Sequence, residues 1–194
     1  DRITSDDRCE QMRAILEVLS SRKVRMNWQS WVDSDVEYAL MMIDLNDDLD
    51  LLVLLILNGL PAYRYSIIYL AEQPDIPTDV FHAFLNNVPD GQSDVADAIQ
   101  DVLTISVPVE YDSVPVELVL VLAEHFSGES YEVPMLYDSD ICADVLEKLS
   151  VVLQHFLYRG ISINWEYWDS DMVNYIIVHN LDSAVLLDLI ECGL

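Results

Sequence analysis

Apolar residues in this chain come in short blocks that polar breaks separate at a nearly regular interval. Blocks 36–43 and 49–57 form one pair, parted by Asp44-Leu45-Asn46-Asp47-Asp48. Blocks 172–178 and 184–191 form another, parted by His179-Asn180-Leu181-Asp182. Blocks 141–149 and 151–158 form a third, parted by Ser150. Each block is long enough for about two helical turns and too short to stand alone in water. The pattern predicts pairs of short helices that bury their apolar faces against neighbouring pairs.

The punctuation between blocks supports this. The five glycines are Gly59, Gly91, Gly128, Gly160 and Gly193, at intervals of 32, 37, 32 and 33 residues. Each follows an apolar run or opens a polar turn, where a helix is expected to stop. A stop at about every 33 residues is the mark of a repeat protein. Helix starts recur too. Asn27-Trp28-Gln29-Ser30-Trp31-Val32-Asp33-Ser34-Asp35 parallels Asn164-Trp165-Glu166-Tyr167-Trp168-Asp169-Ser170-Asp171, with Val32 as one inserted residue. Reduced forms stand at Tyr111-Asp112-Ser113 and Tyr137-Asp138-Ser139-Asp140. Asp and Ser side chains accept bonds from the free N–H groups that open a helix. Pro77-Thr78-Asp79 and Gln92-Ser93-Asp94 predict two further starts. Alternating pieces such as Ile161-Ser162-Ile163 and Val107-Pro108-Val109 are too short for a sheet and predict turns between helix pairs. The runs 51–57 and 119–122, apolar all round, predict helices sandwiched in a core.

The stretch from Val151 through His155 and Gly160 to Asn164 resembles the second helix and following turn of an ankyrin repeat, as do 49–62 and 183–194. The two-helix plan and the period agree with that family. The resemblance implies an all-α fold, an α-solenoid of about five to six stacked helix-turn-helix (ankyrin-like) repeats. Its units would be 1–27 (partial), 28–63, 64–92, 93–130, 131–163 and 164–194 of a single domain. It is clearest in 28–63 and 131–194 and weakest in 64–130. The family's Thr-Pro-Leu-His opening is absent, and Asp-Ser-Asp stands in its place, so the array is divergent. The 37-residue interval places an insertion near 106–113.

Charge sharpens the functional expectation. The chain carries 35 Asp plus Glu against nine Lys plus Arg, a net of -26. Such a surface repels nucleic-acid phosphates and anionic lipid and attracts cations or a basic protein. The 52% hydrophobic content excludes an acidic disordered tail. No window is apolar for the roughly 20 residues of a membrane span, and no secretory signal pattern is present. The chain begins at Asp1, as a processed fragment would. Three scattered cysteines, Cys9, Cys142 and Cys192, predict free thiols and a cytoplasmic or nuclear, reducing location.

No catalytic motif is present, and the many carboxylates make any single acid–base pair uninformative. Asp44 to Asp50 begins like a calcium loop but has Leu49 where glycine is needed and Leu55 where a bidentate Glu is needed. The four histidines share no ligand spacing. No metal, cofactor or enzymatic activity is therefore expected. The aromatic–acid clusters are the candidate partner-binding residues: Trp31, Asp33, Asp35, Tyr111, Asp112, Tyr137, Asp138, Tyr167, Trp168 and Asp169. By the ankyrin resemblance these lie on projecting turns that line a concave binding face. Trp and Tyr anchor many interfaces, and Asp around them suits a basic partner. Trp28 and Trp165 are expected instead to cover seams between repeats. The function expected is a protein–protein interaction module for a basic partner surface. The alternative is an acidic inhibitor, immunity protein or nucleic-acid mimic that blocks a nuclease or DNA-binding protein. Direct nucleic-acid and membrane binding are not expected. Self-association through the uncapped C-terminal end is.

Overall fold

The structure is a computed structural model that describes residues 5–22, 24, 26–43, 48–73, 75–89, 93–104, 114–136, 142–178 and 183–194, leaving aside the side chains of 5–8 and 20. Among the described residues it holds ten helices and one pair of three-residue strands, so the fold is all-α in class. The chain divides into two compact units, 1–95 and 96–194. The expected bulge at 106–113 and the stop at Gly91 lie outside the described residues, as do the calcium-like residues 44–47.

The first unit contains α1 (Ser5–Ser21), α2 (Asp33–Met41), α3 (Leu49–Leu57), α4 (Arg64–Ala71) and α5 (Thr78–Leu85). Helix α3 packs against α1 and α5, while α2 packs against α4. The helices thus stack in two rows. The α3 sequence explains its place: Leu51, Leu52, Leu55 and Ile56 fall on one face and are buried. Its composition suggests a helix enclosed on all sides, but Leu57 is 72% exposed, so one edge faces solvent. Pro77 ends the preceding turn at φ -65°, already suited to opening α5.

The second unit contains most of α6 (Asp94–Thr104), then α7 (Val116–His125), β1 (Ser130–Glu132), α8 (Ala143–Tyr158), β2 (Ser162–Asn164), α9 (Ser170–Val178) and α10 (Ser183–Glu191). Helix α8 packs against both α7 and α10. Two expectations change here. The blocks on either side of Ser150 form one continuous helix of 16 residues. Ser150 does not break it, because its buried hydroxyl donates across to Asp188 on α10 at 3.1 Å. Residues 162–164, expected as a plain turn, form a strand parallel to β1 with Ser130 opposite Ser162. Three residues suffice because the flanking helices already hold the two segments side by side.

Three glycines end helices in the left-handed region, Gly59 at φ 84°, Gly160 at 75° and Gly193 at 98°. Gly128 does not, which corrects its expected role as a stop of that kind. Its constraint is steric: a Cβ there would stand 2.5 Å from the Phe126 ring. That ring packs on Tyr131 and Phe156 at centroid distances of 5.7 and 4.8 Å. The cluster is buried, with Tyr131 only 2% exposed.

The two units share a local plan. Trp28 and Trp165, Trp31 and Trp168, and the helix starts Asp33 and Ser170 each lie 137 residues apart. On that offset α1 matches α8 and α2 matches α9. Val32 then occupies the N-cap position that Asp169 fills. The extra residue moves Asp33, Ser34 and Asp35 into the first turn of α2 rather than delaying the helix.

Candidate functional site

Each tryptophan pair is built by the same local bonds. The Asn27 side-chain oxygen accepts the Gln29 N–H at 3.0 Å, and Asn164 accepts the Glu166 N–H at 3.1 Å. The backbone N–H of Trp31 then donates to the Trp28 carbonyl at 2.9 Å, as Trp168 does to Trp165. The turn sets the two rings edge to face, 4.9 Å apart in both units. Trp28 and Trp165 act as seam covers. The Trp28 indole donates to the Asn58 carbonyl at 2.8 Å, and the Trp165 indole to the Cys192 carbonyl at 3.0 Å. Both acceptors lie just past a helix C-terminus, next to Gly59 and Gly193. A Cβ added at either glycine would lie within 4 Å of the indole.

The second tryptophans differ between units. Trp168 donates its indole N–H to the Pro134 carbonyl at 2.9 Å. Trp31 is equally half-buried, yet its indole N–H meets no acceptor among the described residues. It lines a cavity of about 780 Å³ between α1 and α2. The other walls include Met12 from α1 and Asp35, Tyr38, Met42 and Ile43 from α2 and its end. The lining is chiefly apolar, with Asp35 its single carboxylate and no basic side chain.

The predicted carboxylates have structural partners. Asp33 accepts the backbone N–H groups of Tyr65 at 2.9 Å and Ser66 at 3.1 Å, in the first turn of α4. Asp35 accepts the Val32 N–H at 3.1 Å, closing the start of α2. Asp169 accepts the N–H groups of Asp171 and Met172, both at 3.0 Å. These bonds fix the helix starts. Tyr167 is 52% exposed beside Trp168. The structure therefore gathers Trp31 and Asp35 in the first unit, and Tyr167, Trp168 and Asp169 in the second. Tyr111, Asp112, Tyr137 and Asp138 lie outside the described residues. Sequence reasoning missed Met12, Tyr38 and Met42. Their periodicity is that of ordinary helix faces, and only the spacing of α1 from α2 gives them a common cavity.

The few cations of the second unit serve the fold. That unit has two basic residues against 18 Asp and Glu, a net charge of -16. Lys148 is buried and pairs with Asp144 one turn away at 2.6 Å. Arg159 donates to the carbonyls of Ala123, Glu124 and Phe126 at 2.8 to 3.2 Å, closing the C-terminal end of α7. A cation there also suits the negative end of the helix dipole. Unit one retains an ion pair between Arg13 and Asp48. The three thiols are free, and burial, followed by Asp188 and Glu191, pushes the Cys192 thiol up from its ordinary value. That thiol is therefore a poor nucleophile. No group of three metal-ligating side chains occurs among the described residues. No helix among them is long and apolar enough to cross a membrane. No protein-family model, curated protein or solved structure matches the chain at a significant level.

Proposed function

We propose that the chain is a protein-interaction module that binds a basic partner surface, built as a divergent ankyrin-like α-solenoid. The observation that carries this reading is the meeting of Trp31, Asp35 and Tyr38 at one cavity between α1 and α2. Tyr38 is 63% exposed, so an aromatic face is available to a partner. The repeat reading is supported by the strand register, in which Ser130 and Ser162 stand 32 residues apart, and by the two helix rows of the first unit. An excess of carboxylates steers a basic partner and speeds encounter more than it adds to final affinity. Binding rather than catalysis is the role, and three free cysteines favour a cytoplasmic or nuclear setting.

Capture from a cell lysate on immobilised protein, at low and at high salt, tests the reading. Basic proteins retained at low salt and released at high salt are the expected outcome. Retention that ignores salt, or of no basic protein, refutes it. One observation favours a second reading, a nucleic-acid mimic that blocks a DNA-binding protein: both cations of the second unit are consumed internally, leaving a net of -16. Release of a captured protein by DNA in competition separates that reading from the first.

A further inference from the structure

The second unit displays what the first leaves open. Beyond β1, residues 133–136 run beside the second tryptophan pair. The Val133 N–H donates to the Asn164 carbonyl at 2.9 Å, and the next carbonyl, that of Pro134, accepts the Trp168 indole at 2.9 Å. Val133 and Leu136 are fully buried, at 0% and 1% exposure. One extended segment thus offers a donor, an acceptor and apolar side chains in succession.

In the first unit the matching groups are Asn27 and Trp31. The Asn27 carbonyl accepts no bond from a described residue, and the Trp31 indole donates to none. No described residue stands where Pro134 stands in the other unit. One position also changes chemistry. Asp35 occupies the site that Met172 holds on the 137-residue offset. One Asp35 oxygen holds the Val32 N–H, and the other accepts no bond from a described residue. Tyr38 sits one turn along the same face of α2.

We propose that the α1–α2 cavity binds an extended basic segment of a partner protein. The segment's backbone donates to the Asn27 carbonyl and accepts from the Trp31 indole, and its Lys or Arg side chain pairs with Asp35 over the Tyr38 ring. Two successive main-chain bonds require a peptide rather than a small cation. The carboxylate beside two aromatic faces selects a cation, Arg above Lys because its planar fork both stacks and pairs. The inference rests on the interaction-module reading and assigns that reading its site and the form of its partner.

Two fluorescein-labelled peptides test it by anisotropy on the full chain. One, Ser-Tyr-Glu-Val-Pro-Met-Leu, reproduces residues 130–136; the other, Ser-Tyr-Lys-Val-Pro-Arg-Leu, adds the cations. The basic peptide is expected to bind more tightly. Trp31→Phe, which keeps a ring and removes the N–H, should weaken both peptides about fivefold to tenfold. Asp35→Asn should weaken the basic peptide alone by a similar factor, and Trp168→Phe should weaken neither. Thermal melts of each variant exclude unfolding as the cause. Basic-peptide binding that is salt-sensitive but unchanged by Trp31→Phe and Asp35→Asn overturns this site while leaving the wider interaction reading intact. No binding by either peptide overturns this site, and salt-sensitive capture of basic proteins then decides the wider reading. A dimer in sedimentation that Trp31→Phe abolishes makes a second copy the occupant and overturns the partner assignment.

Discussion

Asp33, in the first turn of α2, reaches across to α4 and accepts the backbone N–H of Ser66 at 3.1 Å through one oxygen while the other takes the N–H of Tyr65. The carboxylate caps a neighbour's helix rather than its own. Asp94 adds to the same end by accepting the Arg64 N–H at 3.1 Å. Three of the donors that open α4 are thus satisfied by side chains from two other elements, which ties successive helix pairs together. Asp33→Ala should destabilise the first unit by ~1 to 2 kcal/mol, the range for loss of a helix cap. Asp33→Asn should recover part of that loss, since its amide oxygen still accepts one bond. Urea unfolding of both variants checks the order, and an Asp33→Ala protein as stable as wild type would overturn the capping role.

Glycine requirements at two positions have different origins and should be separable. Gly59 sits at φ 84°, and a Cβ added there would stand 3.8 Å from its nearest neighbour, the Trp28 indole. Space is adequate, so Gly59→Ala should cost ~1 kcal/mol from backbone strain alone. At Gly128 the added methyl meets the Phe126 ring at 2.5 Å. The ring is held by Tyr131 and Phe156, so Gly128→Ala should cost ~1 to 3 kcal/mol through displaced packing. Thermal unfolding decides the order, and a Gly128→Ala variant that is no less stable than Gly59→Ala contradicts the steric account.

Local signals were readable along the chain, and long-range ones were not. Helix starts at Thr78 and Asp94 and the glycine stops after α3, α8 and α10 follow from capping and backbone preferences within a few residues. The burial of Trp28 and the Trp165 indole bond also follow from their place in the turn. The continuity of α8 through Ser150 depends on Asp188, 38 residues away. The β1–β2 pairing and the reach of Asp33 to α4 likewise depend on partners about 32 residues away. The aromatic–acid motif indicated Trp31 and Asp35, but the cavity that unites them requires α1, whose sequence carries no comparable signal.

Tyr131 places a phenol oxygen in the Phe126–Phe156 cluster without a hydrogen-bond partner among the described residues. Burial pushes its ionisation well above the ordinary tyrosine value. An unpaired buried hydroxyl opposes folding, so Tyr131→Phe should leave stability unchanged or raise it by up to ~1 kcal/mol. The pH dependence has a definite sign. The folded state favours the protonated phenol, so stability is retained below the unfolded-state value near 10 and falls as pH rises beyond it. The phenylalanine variant should lose less stability over that alkaline range. Equal alkaline loss in both proteins, measured by denaturant unfolding, would show that Tyr131 does not titrate against folding.

Arg159 follows the left-handed end of α8 by geometry rather than by pairing with acid: its guanidinium donates only to backbone carbonyls at the end of α7, at 2.8 Å to Ala123 and 2.8 Å to Phe126. The bonds span two helices that already pack together, so they lock the end of one to the end of the other. Arg159→Met keeps much of the apolar stem and removes every donor. It should destabilise the second unit by ~1 to 3 kcal/mol, because α7 carbonyls lose charge-assisted partners. Arg159→Lys should recover little of the loss, since one ammonium cannot reproduce a fork that serves three carbonyls. High salt should leave the effect largely intact, as screening acts weakly on bonds that are part-buried. Hydrogen exchange at the end of α7 is the direct measure: faster exchange there in Arg159→Met, with α10 unchanged, is expected, and uniform exchange across the unit would mean that the arginine stabilises no particular helix end.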